Sequence, residues 1–223
     1  MKQFRSRANG THFPITPRIK SVNQHTNFSP QQLLNEYFLK NKKTDKLKLK
    51  KAAVSQMNLY KNQKNEDYAK WKEVVVSIKT EENRFLIDNT LIKIPKKELC
   101  PNVKLVDEDY DYFFRSSGTH GRYDLENNTL LLRKDIALKP RVIVHENGHY
   151  VYTKVLTEKQ RDQWQKIVKE KTPQIINDAV IHNDDRAEEY FAELYVDKIG
   201  EKSILITKFA PPEAQKFMEN YGS

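Results

Sequence analysis

Five consecutive residues, His145-Glu146-Asn147-Gly148-His149, restrict this chain more than any other stretch. They sit in an apolar run, RVIVHENGHYVYTKVL, that begins right after Pro140. Proline is favoured in the first turn of a helix, where its missing N–H costs nothing, so the run reads as a helix. Positions four apart on a helix share one face, about one turn apart, so both imidazoles can address a single ion. Neutral imidazole is a natural Zn2+ ligand. Glu146, next to the first histidine, is placed to reach a metal-bound water rather than the metal. Zinc lowers the pKa of such a water toward about 7, and a carboxylate can then take its proton. Gly148 costs about 1 kcal/mol of helix propensity against alanine, which predicts close packing on a neighbouring element.

A catalytic site that leaves one position open needs a third protein ligand. No further histidine follows at close spacing. A second helix is expected over DRAEEYFAELYVD (185–197), and it offers a carboxylate instead. Ala187, Tyr190, Phe191, Leu194 and Tyr195 fall in one apolar stripe, while Glu189 and Glu193 project from the opposite side among Ala192 and Val196. Carboxylates set among small apolar residues are expected to be partly buried, and a buried carboxylate needs a partner. A metal ion supplies one.

The remaining elements read from local signals. Residues 1–28 form a polar, flexible arm. Ser29-Pro30 starts a short helix through Leu33, Leu34, Tyr37 and Phe38, and Asp45–Asn62 reads as a helix, with a strand as the alternative. Glu73–Lys79 and Arg84–Ile94 are rich in β-branched residues and read as strands, and Arg122–Arg133 as a hairpin turning at Asn127-Asn128. Capping boxes at Thr157/Gln160 and Asp185/Glu188 start two helices, the second ending near Gly200. Pro211-Pro212 starts a last one, ending at Tyr221. Strands followed by helices indicate an α+β domain over 65–223, behind a basic, partly helical extension over 1–64.

Charge is uneven. Residues 1–50 carry 11 Lys and Arg against 2 Asp and Glu, whereas residues 101–223 carry 18 against 21. A basic extension ahead of a near-neutral domain points to an anionic partner, nucleic acid or an acidic protein, through residues 1–60. No run approaches the roughly 18 apolar residues that span a bilayer, so no transmembrane segment is expected. The start, MKQFRSRANGTHFPITPRIK, lacks the apolar core of a secretory signal. The chain is therefore expected to be cytoplasmic as synthesised, with a viral or mobile-element origin and later export both open. The single cysteine, Cys100, can form no internal disulfide.

VIVHENGHYVY (142–152), EEYFAELY (188–195) about 40 residues later, and APPEAQKFMENY (210–221) together resemble the anthrax lethal factor-like metallopeptidases, which include the Pro-Pro endopeptidases. GTHGRYDLENNTLLLR (118–133) is similar in character. The resemblance covers roughly residues 105–223. It implies a zincin-like metallopeptidase domain with a small twisted mixed sheet, an H-E-x-x-H helix and a C-terminal helical part. It implies a gluzincin-type zinc metalloendopeptidase acting on protein or peptide substrates, with His145, His149 and Glu189 as zinc ligands and Glu146 as general base. Glu193 resembles a second carboxylate that orients a ligating histidine. Where the family commonly carries an oxyanion-stabilising tyrosine this chain has His182, whose imidazole can also donate to developing negative charge. The strand ending in Asn128–Arg133 is expected as the edge beside the cleft, flanked by Tyr123 and His120, where an extended peptide pairs through its main chain. The alternative is a catalytically inactive scaffold of this fold, or a nucleic-acid- or assembly-binding protein using its basic arm.

Overall fold

The computed structural model describes residues 28–63, 65–117, 119–171, 186–201 and 210–221. All but the last residue of the expected arm, together with His182 and Asp185, lie outside the described residues. The described chain is mixed α and β, mostly helical, with one three-stranded sheet.

Three helices come first. α1 (Pro30–Leu39) opens on the expected cap, with the Ser29 hydroxyl accepting from Gln32 N–H and the Gln32 side chain accepting from Ser29 N–H. α2 (Lys43–Tyr60) and α3 (Glu66–Leu91) follow, with Asn65 capping α3 through Tyr68 N–H. The strands expected over Glu73–Lys79 and Arg84–Ile94 do not form: Glu73–Lys79 and residues 84–91 lie within α3, and residues 92–94 make the turn after it. Tertiary packing overrides β propensity here. Trp71, Val74, Val75 and Ile78 recur at helical spacing and close a core with Leu33, Tyr37, Leu49 and Ala53.

The second half of α3 turns to different neighbours. Ile87 packs with Leu132, Leu138 and Ile143. Asn83, 3 % exposed, donates to the Ile136 carbonyl at 2.8 Å and accepts from Leu138 N–H at 3.2 Å. α3 therefore holds the segment that leads from the sheet into the motif helix.

The sheet contains β1 (Asn102–Val106), β2 (Gly121–Asp124) and β3 (Thr129–Arg133) in the order β1-β3-β2. The β2–β3 hairpin is as expected, and Asn128 takes φ 47°, a left-handed conformation that asparagine tolerates. β3, however, is not the edge. It pairs antiparallel with β2 on one side and parallel with β1 on the other, in register Asn102↔Thr129 to Val106↔Arg133. A parallel partner from earlier in the chain leaves no local signal, and among the described residues the sheet's edges are β1 and β2.

α5 (Pro140–Tyr150) follows α4 (Tyr112–Ser117) and the sheet, and runs on through a wider π-type turn over Val151–Val155. α6 (Glu158–Lys171) carries the Thr157/Gln160 box. α7 (Arg186–Lys198) stops before Gly200, whose φ of 81° suits glycine, and α8 (Pro212–Asn220) begins at Pro212. Phe191 of α7 lies at ring-centroid distances of 5.4–5.7 Å from Tyr152, Trp164 and Tyr221, at the centre of an aromatic core. No helix among the described residues is long and apolar enough to cross a membrane.

Candidate metal centre

The site is built where α5 meets α7. A Cβ added at Gly148 would fall 2.7 Å from the Ala192 Cα, so the two backbones touch with only hydrogen between them. That contact brings one face of α5, carrying Arg141, His145 and His149, against one turn of α7, carrying Glu188, Glu189 and Glu193.

Three side chains converge. The Nε2 atoms of His145 and His149 are 3.2 Å apart. Glu189 places Oε2 3.4 Å from His145 Nε2 and Oε1 3.6 Å from His149 Nε2. Among the described residues these three form a group whose donor atoms could hold a metal ion. Both imidazoles are largely buried, with side-chain exposures of 16 % and 12 %, while Glu189 is more open at 38 %.

The far nitrogens meet carboxylates too. His149 Nδ1 is 2.9 Å from Glu188 Oε1. His145 Nδ1 is 3.1 Å from Glu193 Oε1, without the alignment of a full hydrogen bond. Carboxylates beside Nδ1 favour the tautomer protonated there. Both Nε2 lone pairs and the Glu189 carboxylate then address the same point. Three acceptors facing one another need a cation between them, and this donor set suits a metal.

Without an ion, protons serve that need. Burial would lower the pKa of His145, but the Glu189 and Glu193 carboxylates outweigh it and raise it to about 10. Burial likewise opposes, and Glu188 and Glu146 outweigh it, in raising His149. Glu189 and Glu193 are held low in spite of burial, by His145 and His149 for the first and by His145 and Arg141 for the second.

Glu146 is 8 % exposed and lines two adjoining cavities. One, about 230 Å³, lies toward His120, Arg141 and Glu193. The other, about 370 Å³, lies toward Phe113, Tyr123, Leu125 and both histidines. β2 borders them closely, since a Cβ at Gly121 would sit 3.0 Å from Glu146 Cγ and 2.9 Å from Leu132 Cδ2.

Sequence reasoning named His145, Glu146, His149, Glu189 and Glu193, and the structure brings all five together. His182 lies outside the described residues. Three further residues were missed. Glu188 read as a helix cap but contacts His149. Arg141 donates to Glu193, and its place one turn before His145 was the available signal. Asn147, fully buried, donates to the Glu98 carbonyl and accepts from Cys100 N–H, both at 2.9 Å, and so fixes the back of α5. Nothing local to the motif announces that role. Glu98 is itself buried and accepts from Tyr195 and Tyr221 hydroxyls at 3.0 and 3.2 Å, tying this loop to α7 and the C-terminal segment. Comparison with protein-family models, curated proteins and solved structures finds no match to the chain.

Proposed function

We propose that this chain is a zinc-dependent metalloendopeptidase with a zincin-like domain of the lethal factor-like kind. The observation that carries the reading is the spacing of the donor atoms. Zinc bonds of about 2.0–2.1 Å in tetrahedral geometry put neighbouring donors about 3.3 Å apart. The two Nε2 atoms stand 3.2 Å apart, with one Glu189 oxygen 3.4 Å from that of His145 and the other 3.6 Å from that of His149. His145, His149 and Glu189 would hold the ion. Zinc bound there would polarise a carbonyl and acidify a coordinated water.

The chain's own groups do the rest. Glu146, on the α5 face beside the histidines, accepts a proton from the attacking water on its carboxylate and returns it to the leaving nitrogen. The outer edge of β2 has no strand partner among the described residues, so its N–H and C=O groups can pair with an extended peptide. That pairing would lay the peptide across the cavity lined by Tyr123, Glu146 and both histidines. Arg141 holds Glu193 beside His145 and keeps that carboxylate from competing for the ion.

Metal analysis of the purified chain, with peptide-library cleavage by wild type and Glu146→Gln, tests the reading. Stoichiometric zinc in both proteins and cleavage only by the wild type are expected. A Glu146→Gln protein that cleaves at the wild-type rate would refute the mechanism.

A separate role for the basic region is supported by α2, where Lys43, Lys48 and Lys51 stand exposed. An anionic partner, nucleic acid or an acidic protein, would meet this face. Binding that weakens steeply with salt and is lost on reversing these three charges supports the role; salt-independent binding refutes it.

A further inference from the structure

We infer that Glu188 is a positioning residue for the metal: it holds the His149 ring by Nδ1 and so aims Nε2 at the ion. The inference rests on the metal reading above. Adjacent residues on a helix diverge by about 100°, so Glu188 and Glu189 reach the same imidazole on different edges. Glu188 Oε1 takes Nδ1 at 2.9 Å, and Glu189 Oε1 stands 3.6 Å from Nε2. With Nδ1 committed, Nε2 is the ring atom left to coordinate, and it is the atom that faces His145 Nε2 at 3.2 Å.

His145 is held differently. Its carboxylate, Glu193, is shared with Arg141 and meets Nδ1 without full hydrogen-bond alignment. Glu188 shows no basic side chain as a partner among the described residues other than His149. Its Oε1 is therefore shared with no other basic side chain among the described residues. A carboxylate on the far nitrogen fixes the tautomer, limits ring rotation and raises the basicity of the ligating nitrogen, and loss of such a group typically costs 10–100-fold in metal affinity. One turn of α7 thus supplies a ligand, Glu189, and the orientation of the imidazole beside it.

The Glu188 side chain is 27 % exposed, so its replacement leaves the core intact. The test compares zinc affinity of full-length wild type, Glu188→Ala and Glu188→Gln by competition with a chromophoric chelator. Long-range 1H–15N spectra of the zinc-loaded proteins read the His149 tautomer. Expected are roughly 10–100-fold weaker zinc binding in Glu188→Ala and an intermediate value in Glu188→Gln, which keeps an acceptor oxygen but no charge. A His149 Nδ1 proton protected from exchange in wild type and lost in Glu188→Ala is also expected. A merely structural role would not move that proton, which makes it the discriminating readout; the melting temperature of the metal-free protein falls modestly in Glu188→Ala in either case, because the Glu188–His149 contact is present without an ion. Zinc affinity of Glu188→Ala within twofold of wild type, or zinc on Nδ1 of His149, overturns the assignment. A wild type that takes no zinc overturns the metal reading and this one with it. Peptide cleavage does not enter the readout, so failure of the peptidase reading alone would be seen separately.

Discussion

Replacing Gly148 with alanine probes the contact on which the site depends. The new methyl carbon would lie 2.7 Å from the Cα of Ala192, 3.1 Å from its Cβ and 3.3 Å from its carbonyl oxygen. Carbon atoms in good contact sit about 3.5–4.0 Å apart, so α5 and α7 must separate by roughly 1 Å at this level. The nearest atom is backbone, and no rotamer change relieves it. α5 carries both imidazoles and α7 carries Glu189, so the ligands separate with their helices. Metal–ligand bonds tolerate about ±0.2 Å. Overpacking costs about 1–3 kcal/mol, against about 1 kcal/mol regained by removing a glycine from a helix. A net loss of stability of about 0–2 kcal/mol follows from those two figures, alongside a drop in zinc affinity of about tenfold or more. Thermal unfolding of the metal-free protein and a chelator competition titration separate the two effects. Adding Ala192→Gly removes the 3.1 Å contact but leaves the 2.7 Å one, so it restores only part of the affinity. Gly148→Ala with zinc affinity within twofold of wild type would show that the close approach does not position the ligands.

Glu146→Gln is expected to lower kcat by about 10²–10⁴ while zinc content stays at wild-type level, measured by peptide cleavage and metal analysis. Glu189→Ala is expected to purify with little zinc, and full occupancy would remove Glu189 from the ligand set. Zinc affinity should rise with pH by up to about tenfold per unit for each proton displaced. The sign follows from His145, raised to about 10 in the metal-free protein: below that pH the ion must expel a proton, and above it that dependence fades. The same protonated imidazole stabilises the metal-free fold at low and neutral pH, and this contribution is lost as pH climbs through about 10. A flat affinity profile between pH 6 and 8, measured by the same competition assay, would contradict this. Asn147→Ala leaves Cys100 N–H and the Glu98 carbonyl without their partner, at a cost of about 1–3 kcal/mol, and a wild-type melting temperature would show that the anchor is dispensable.

Features written in short-range chemistry were legible in the sequence. The start at Ser29-Pro30, the cap at Thr157/Gln160, the turn at Asn128, the stop at Gly200 and the start at Pro212 each depend on a few neighbouring residues. The i, i+4 spacing of His145 and His149 needs only helical geometry, and Gly148 already signalled a close neighbour. Glu189 and Glu193 stood out together, as carboxylates among small apolar residues that ask for a partner, and only the family resemblance separated ligand from neighbour.

Contacts between distant segments were not legible. The run around Val74, Val75 and Ile78 suits a pleated sheet or one helix face, and only Leu33, Leu49 and Ala53 on the opposing helices decide for the helix. β3 became central because β1 returns to pair with it, which moved the free edge beside the cleft to β2. Glu188, Arg141 and Asn147 acquire their roles from what α5 meets on α7 and on the loop around Glu98. Residue order alone determined the chemical groups and their local geometry, since backbone torsions and hydrogen bonds act over a few residues. The tertiary structure decided which groups face one another, because hydrophobic burial favours packing without naming partners, and only the assembled shape selects them.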